Sequence, residues 1–130
     1  MRTALLIIPH HLFDHHPGLA EQHDQTVLIE DPLFFGDRQY PMRFHKQKLW
    51  LHRASMQRYA ARLSEEGETV DYVDYVKGEP VTQRAIATLA EAGTERLICA
   101  NPVDFILEKR LSTYAAEHQL ELILLDTPGF

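Results

Sequence analysis

Residues 96–111, RLICANPVDFILEKRL, hold a strand, a turn and the opening of a helix. The apolar run ends abruptly at Asn101, whose short side chain is suited to cap the free N–H groups at a helix start. Pro102 follows, with a backbone angle already set for the first helical turn, and Asp104 puts a negative charge at the positive end of the helix dipole. Val103, Leu107, Leu111, Tyr114 and Ala115 then recur at helical spacing, which predicts a helix from Pro102 to about His118. A strand running directly into a helix is the unit from which parallel sheets are built.

The same unit recurs outward from this stretch. TALLIIP (3–9), TVLIED (26–31), TVDYVDY (69–75), RLICAN (96–101) and ELILLD (121–126) read as five strands. Four of them carry apolar residues on consecutive positions, as strands covered on both faces do. The third alternates and is expected at an edge. A long helix is expected from 42 to about 66, with Pro41 near its start, Gly67 in the position that follows a helix, and Leu49, His52, Met56, Tyr59 and Leu63 along its inner side. Another is expected from Thr82 to Ala92, with Thr82 as cap, a Val81–Ile86 staple, and Gly93 ending it. Residues 12–23 read as a short helix or turn interrupted at Pro17-Gly18. Strands alternating with helices imply right-handed crossovers. The fold class is therefore a single doubly wound (Rossmann-like) α/β domain over 1–130, with a five-stranded parallel sheet of order 3-2-1-4-5 and helices on both faces.

With 130 residues, 45 % of them hydrophobic and 25 % charged, the chain has the composition of an ordinary single globular domain. No apolar run approaches the roughly 20 residues needed to span a bilayer. The N-terminus MRTALLIIPHH reads as a first strand and not as a signal peptide, so no membrane partner is expected. One cysteine, Cys99, excludes an internal disulfide and any cysteine-based zinc or iron–sulfur site built from this chain alone, and the expected compartment is the reducing cytoplasm. Cys99 lies inside an apolar strand, where a buried, inert thiol is expected. The net charge of −6 is uneven. From Arg38 to Ser64 there are seven basic residues and no acidic one, while the other six basic and nineteen acidic residues give −13. The basic segment is either a solvated helix face neutralised by acidic neighbours or a surface that meets phosphate.

In doubly wound sheets ligands sit beyond the carboxyl ends of the strands, where the strand order reverses. With the order 3-2-1-4-5, His10, His11 and Asn101 would line that crevice and Glu30 would stand on the adjacent strand. The neighbourhood is unusual in composition: HHLFDHH, residues 10–16, holds four histidines and one aspartate. A metal site is the weaker reading, because adjacent residues on an extended strand point to opposite sides and no H-E-x-x-H pattern is present. The first glycine after the first strand is Gly18, too late for a dinucleotide fingerprint, and no G-x-x-x-x-G-K-[ST] occurs. A histidine near its ordinary pKa of about 6.5 could serve as an acid or base. A stand-alone nucleotide-binding protein, or an enzyme using His10 or His11 with Glu30, is therefore an alternative.

Residues 27–73, VLIEDPLFFGDRQYPMRFHKQKLWLHRASMQRYAARLSEEGETVDYV, resemble the N-terminal domain of the deoxyribodipyrimidine photolyase-related family, the iron–sulfur bacterial cryptochromes and (6-4) photolyases. FHKQKL (44–49), ASM (54–56), Gly67 and VDYV (70–73) carry the likeness. NPVDFILEKRL (101–111) and LLDTPGF (124–130) extend it over essentially the whole chain. The resemblance implies a larger protein, whose all-helical domain holds FAD and a four-cysteine iron–sulfur cluster. This chain would then be the antenna-type domain, which does no bond chemistry itself, holds a ribityl-lumazine-type chromophore at the strand ends, and has the helical FAD-binding domain as its partner. Glu30 matches the family's acidic residue at the end of the second strand. The end of the first strand departs: Pro9-His10-His11-Leu12 stands where many members have Gly-Asp-Gln-Leu. The resemblance also brings the basic helix 43–62 near the helical domain or near DNA. The acidic remainder of the chain argues against strong DNA binding by this domain alone.

Overall fold

The computed structural model describes residues 2–9, 12, 16–35, 46–102 and 105–126. The expected strands form as β1 (Thr3–Ile7), β2 (Gln25–Ile29), β3 (Val70–Val73), β4 (Arg96–Ala100) and β5 (Glu121–Leu125), all parallel in one sheet of order β3-β2-β1-β4-β5. β1 is the central strand, and all five of its residues are buried. Its register pairs Ile7 with Leu28 on one side and Leu6 with Cys99 on the other, so the order reverses between β1 and β4. The fold is the doubly wound α/β sandwich read from the sequence.

Strand geometry sends alternate side chains to opposite faces, and the apolar runs therefore feed two cores. Ala4, Leu6, Ile8, Val27, Ile29, Leu97 and Cys99 face α3 (Val81–Glu91) and α4 (Phe105–Glu117), meeting Ile86, Leu89, Leu107, Leu111 and Ala115. Leu5, Ile7, Leu28 and Ile98 face α2 (Lys46–Glu65), meeting Met56, Tyr59 and Leu63. Each fully buried leucine or isoleucine contributes about 1.5–3 kcal/mol through loss of apolar surface from water. Gly67 and Gly93 end α2 and α3 with left-handed φ of 95° and 98°, closed by bonds from the next residue's N–H: Glu68 to the Leu63 carbonyl and Thr94 to the Leu89 carbonyl.

Several local expectations need correction. The helix read from Thr82 begins one residue earlier, after Pro80, and Thr82 does not cap it. The Thr82 hydroxyl instead donates to the buried Asp31 carboxylate at 2.5 Å, since a buried carboxylate is costly to leave without a donor. Of the short helix or turn read over 12–23, residues 13–15 lie outside the described residues, and Pro17-Gly18 opens a short 3₁₀ turn, Pro17–Ala20, with His16 as its cap. The consecutive apolar residues of β5 are only half-buried, since the strand has a neighbour on one side alone. A single helical turn, α1 (Pro32–Phe35), was not anticipated. Leu49, His52 and Val103, read as inner-face residues, lie outside the described side chains, as do the first residues expected of the helix at 42, whereas Pro102 is described, buried and not helical, and α4 is assigned from Phe105.

Candidate functional site at the strand ends

At the carboxyl end of β2 the chain places two acids in succession, and the pleat sends them to opposite faces. Glu30 turns toward α2 and Asp31 toward α3. Glu30 is wholly buried, yet its carboxylate is saturated with donors. Oε1 accepts from Arg53 Nη2 at 2.9 Å and from the Tyr75 backbone N–H at 2.7 Å. Oε2 accepts from Arg53 Nε at 3.0 Å and from the Tyr72 hydroxyl at 2.5 Å. Three elements, β2, α2 and the end of β3, are tied through this one group.

Burial alone would push the Glu30 carboxyl up. The Arg53 fork, the Tyr72 hydroxyl and the Tyr75 N–H together outweigh it, and the pKa is held below the ordinary carboxylate value. Arg53 is raised in turn, first by its bond to Glu30, and Tyr72 is raised by burial and by donating to Glu30. The Arg53 side chain is 45 % exposed, so the ion pair has one sealed partner and one that reaches solvent. A guanidinium carries five N–H donors, and Glu30 engages only one edge of it.

Beside the ion pair lies a stacked aromatic pair, Phe35 buried in the α2-side core and Tyr75 half-buried. The Phe35 and Tyr75 rings stack with centroids 5.8 Å apart and planes 26° apart, and the Arg53 guanidinium carbon stands 5.8 Å from the Phe35 ring centre. A planar cation held by a buried carboxylate next to stacked rings can engage a flat polar guest through hydrogen bonds and through ring contact. On the other face Asp31, with Thr82, fixes the start of α3. Behind it the Cys99 thiol is pushed up to about 12, chiefly by burial and then by the Asp31 charge, which leaves it a packing group.

Of the residues expected at the crevice, Glu30 closes β2 and Asn101 follows β4, its N–H donating to the Leu125 carbonyl at 2.7 Å. The end of β1 lies between them. His10 and His11, which follow β1, lie outside the described residues. Among the described residues no group of three or more histidines, cysteines or acids could hold a metal ion. The residues that sequence reasoning missed are Arg53 and Tyr72, while Tyr75, the last residue of the third expected strand, was placed at a strand end without a role. A signal existed: Arg53 falls on the stripe of Met56, Ala60 and Leu63, and a cation on a buried helix face calls for an acid opposite. Of the other basic residues described on α2, Arg62 pairs with Glu66 at 3.8 Å and covers the Tyr59 ring, as a neutralised helix face would, while Arg58 is exposed.

Residues 5–130 match the family described as deoxyribodipyrimidine photo-lyase-related protein. The chain belongs to this family. A curated relative, uncharacterized protein R852 of Acanthamoeba polyphaga mimivirus, is 30 % identical over 132 residues, a match covering 100 % of this chain and 66 % of that protein. The chain thus spans just under two thirds of that relative's length. Within this photolyase-related chain the Glu30–Arg53–Tyr72 cluster stands at the carboxyl end of β2 and against β3, one strand away from the β1–β4 boundary where the order reverses. No described helix is long and apolar enough to cross a membrane.

Proposed function

We propose that this chain is the antenna-type, chromophore-binding and structural domain of a photolyase- or cryptochrome-like flavoprotein, with light-driven DNA repair or blue-light sensing residing in the larger protein. The observation that carries the reading is the family match over residues 5–130, joined to a strand-end cluster whose chemistry suits a flat, polar heterocycle. In this reading the half-exposed Arg53 supplies donors, Tyr75, the partly exposed member of the stacked pair, supplies ring contact, and Glu30 acts through Arg53. His10 and His11, which follow β1, and Asn101, which follows β4, supply the other contacts. A ribityl-lumazine there would absorb light and pass excitation energy to a flavin held elsewhere. An iron–sulfur cluster does not fit this chain, whose single thiol is buried, so cluster and FAD are assigned to a helical partner domain.

The test is a fluorescence anisotropy titration of 6,7-dimethyl-8-ribityllumazine with the purified chain. Saturable binding is expected, weakened by Arg53→Met. Absence of saturation up to about 100 µM, an affinity weaker than about 5.5 kcal/mol, would refute the chromophore role and leave only scaffolding.

A further inference from the structure

The sheet is wider than the helices on one of its faces. Two helices about 10 Å across cover roughly four strands spaced about 4.8 Å apart. On the face carrying α3 and α4 the edge strand β3 is covered only in part, by α3 at Val73, and a cavity of 480 Å³ opens there between α3 and the β2–β3 side of the sheet. Its walls are aliphatic: Val27 and Val73 from the sheet, Val81, Ala85 and Leu89 from the helix. The volume falls in the range of about 300–1,000 Å³ typical of small-molecule sites.

One end of the groove is closed by a polar chain. Arg2 donates to the Ala92 carbonyl at the end of α3 (3.3 Å) and to Gln25 Oε1 on β2 (3.2 Å). Gln25 Nε2 in turn donates to Asp71 on β3 at 3.0 Å, which fixes the amide so that its oxygen faces Arg2. This bridge from α3 to β3 makes the groove blind, so a helix longer than the groove would collide with it, whereas a compact ligand would not. Both acceptors of Arg2 are neutral. The Asp71 charge is turned to Gln25, and the second arginine on the rim, Arg84, is engaged by Glu79 at 2.7 Å. An aliphatic trough with a cation at its closed end, bonded only to neutral acceptors, complements an apolar body that ends in one negative charge.

We infer that this groove is a second ligand site, separate from the strand ends, for a small apolar ring or chain carrying a single carboxylate. The ligand's apolar body lies against Val27, Val73 and Ala85, and its carboxylate meets Arg2.

The inference is tested by titrating 2-naphthoate and its neutral analogue 2-naphthalenemethanol into the ¹⁵N-labelled chain. Saturable amide shifts are expected at Val27, Val73, Ala85 and Leu89 with both. Arg2→Gln, an exposed substitution that leaves the core intact, should weaken naphthoate about tenfold, the scale of one charge-assisted hydrogen bond, and leave the alcohol unchanged. Ala85→Phe, which fills the groove, should abolish both. The inference is overturned by shifts that fail to saturate or fall elsewhere, or by equal loss of both ligands in Arg2→Gln. It is overturned equally if these amides shift with chain concentration alone, which would make a second copy the occupant.

Discussion

Replacing Arg53 with Met removes the cation from a sealed carboxylate while keeping the aliphatic length of the side chain. Glu30 would keep the Tyr72 hydroxyl and the Tyr75 N–H but lose its two bonds to the guanidinium. Removing one partner of a fully buried ion pair costs about 3–5 kcal/mol. Arg53 is 45 % exposed and already partly solvated, so about 2–3 kcal/mol is expected at neutral pH. The pH dependence is the sharper readout. In the native chain Glu30 is held below the ordinary carboxylate value, so its contribution is present above that value and lost as pH falls through the depressed one. In the variant, burial is no longer outweighed and the Glu30 pKa rises above the ordinary value. The folded variant then binds the extra proton, and its stability is lost as pH rises. Urea denaturation followed by circular dichroism should therefore show the gap between the two proteins narrowing by at least about 1 kcal/mol from about pH 8 to about pH 5. A gap that is constant with pH, or below about 0.5 kcal/mol throughout, would refute the claim that Arg53 keeps Glu30 ionised.

Two further outcomes follow from the described geometry. His16, 3 % exposed, caps the Pro17–Ala20 turn by accepting the Gly18 N–H at 2.9 Å, and burial, aided by His23, brings its pKa down from 6.5 to about 4. Its neutral form is the stable one, so its contribution is complete above pH 6.5 and lost as pH falls toward 4, a change of about 3 kcal/mol. His16→Asn keeps a capping acceptor without a titrating group and should flatten the stability profile across that window, measured by urea unfolding at stepped pH. Gln119 follows α4 at a left-handed φ of 58°, so Gln119→Gly should raise stability by up to about 1 kcal/mol, read as a higher Tm.

How much of this was legible in the sequence differs by kind of residue. Elements were legible where the signal is local. Gly67 and Gly93 punctuate α2 and α3, and the consecutive apolar positions of β1, β2 and β4 declared strands covered on both sides. Thr82 was misread for the same reason that it was noticed: a threonine before a helical stripe is a local cap signal. Its partner Asp31 lies 51 residues away. At the strand ends Glu30 was identified, but the residues that give it a role were not, since no local rule announces which cation will reach a given acid.

What the sequence determined by itself was the succession of strands and helices, because hydrophobic period and turn chemistry act over a few residues; crossover handedness is compatible with more than one sheet order, and the expected order β3-β2-β1-β4-β5 was established by the tertiary structure. Tertiary structure alone decided the pairing of Glu30 with Arg53, 23 residues away, and with Tyr72, 42 residues away. It also decided the open trough beside β3. The reason is physical: a buried carboxylate takes whichever donors the packing brings within 3 Å, and this groove opens where α3 meets the edge of the sheet, a matter of how helix and strands pack.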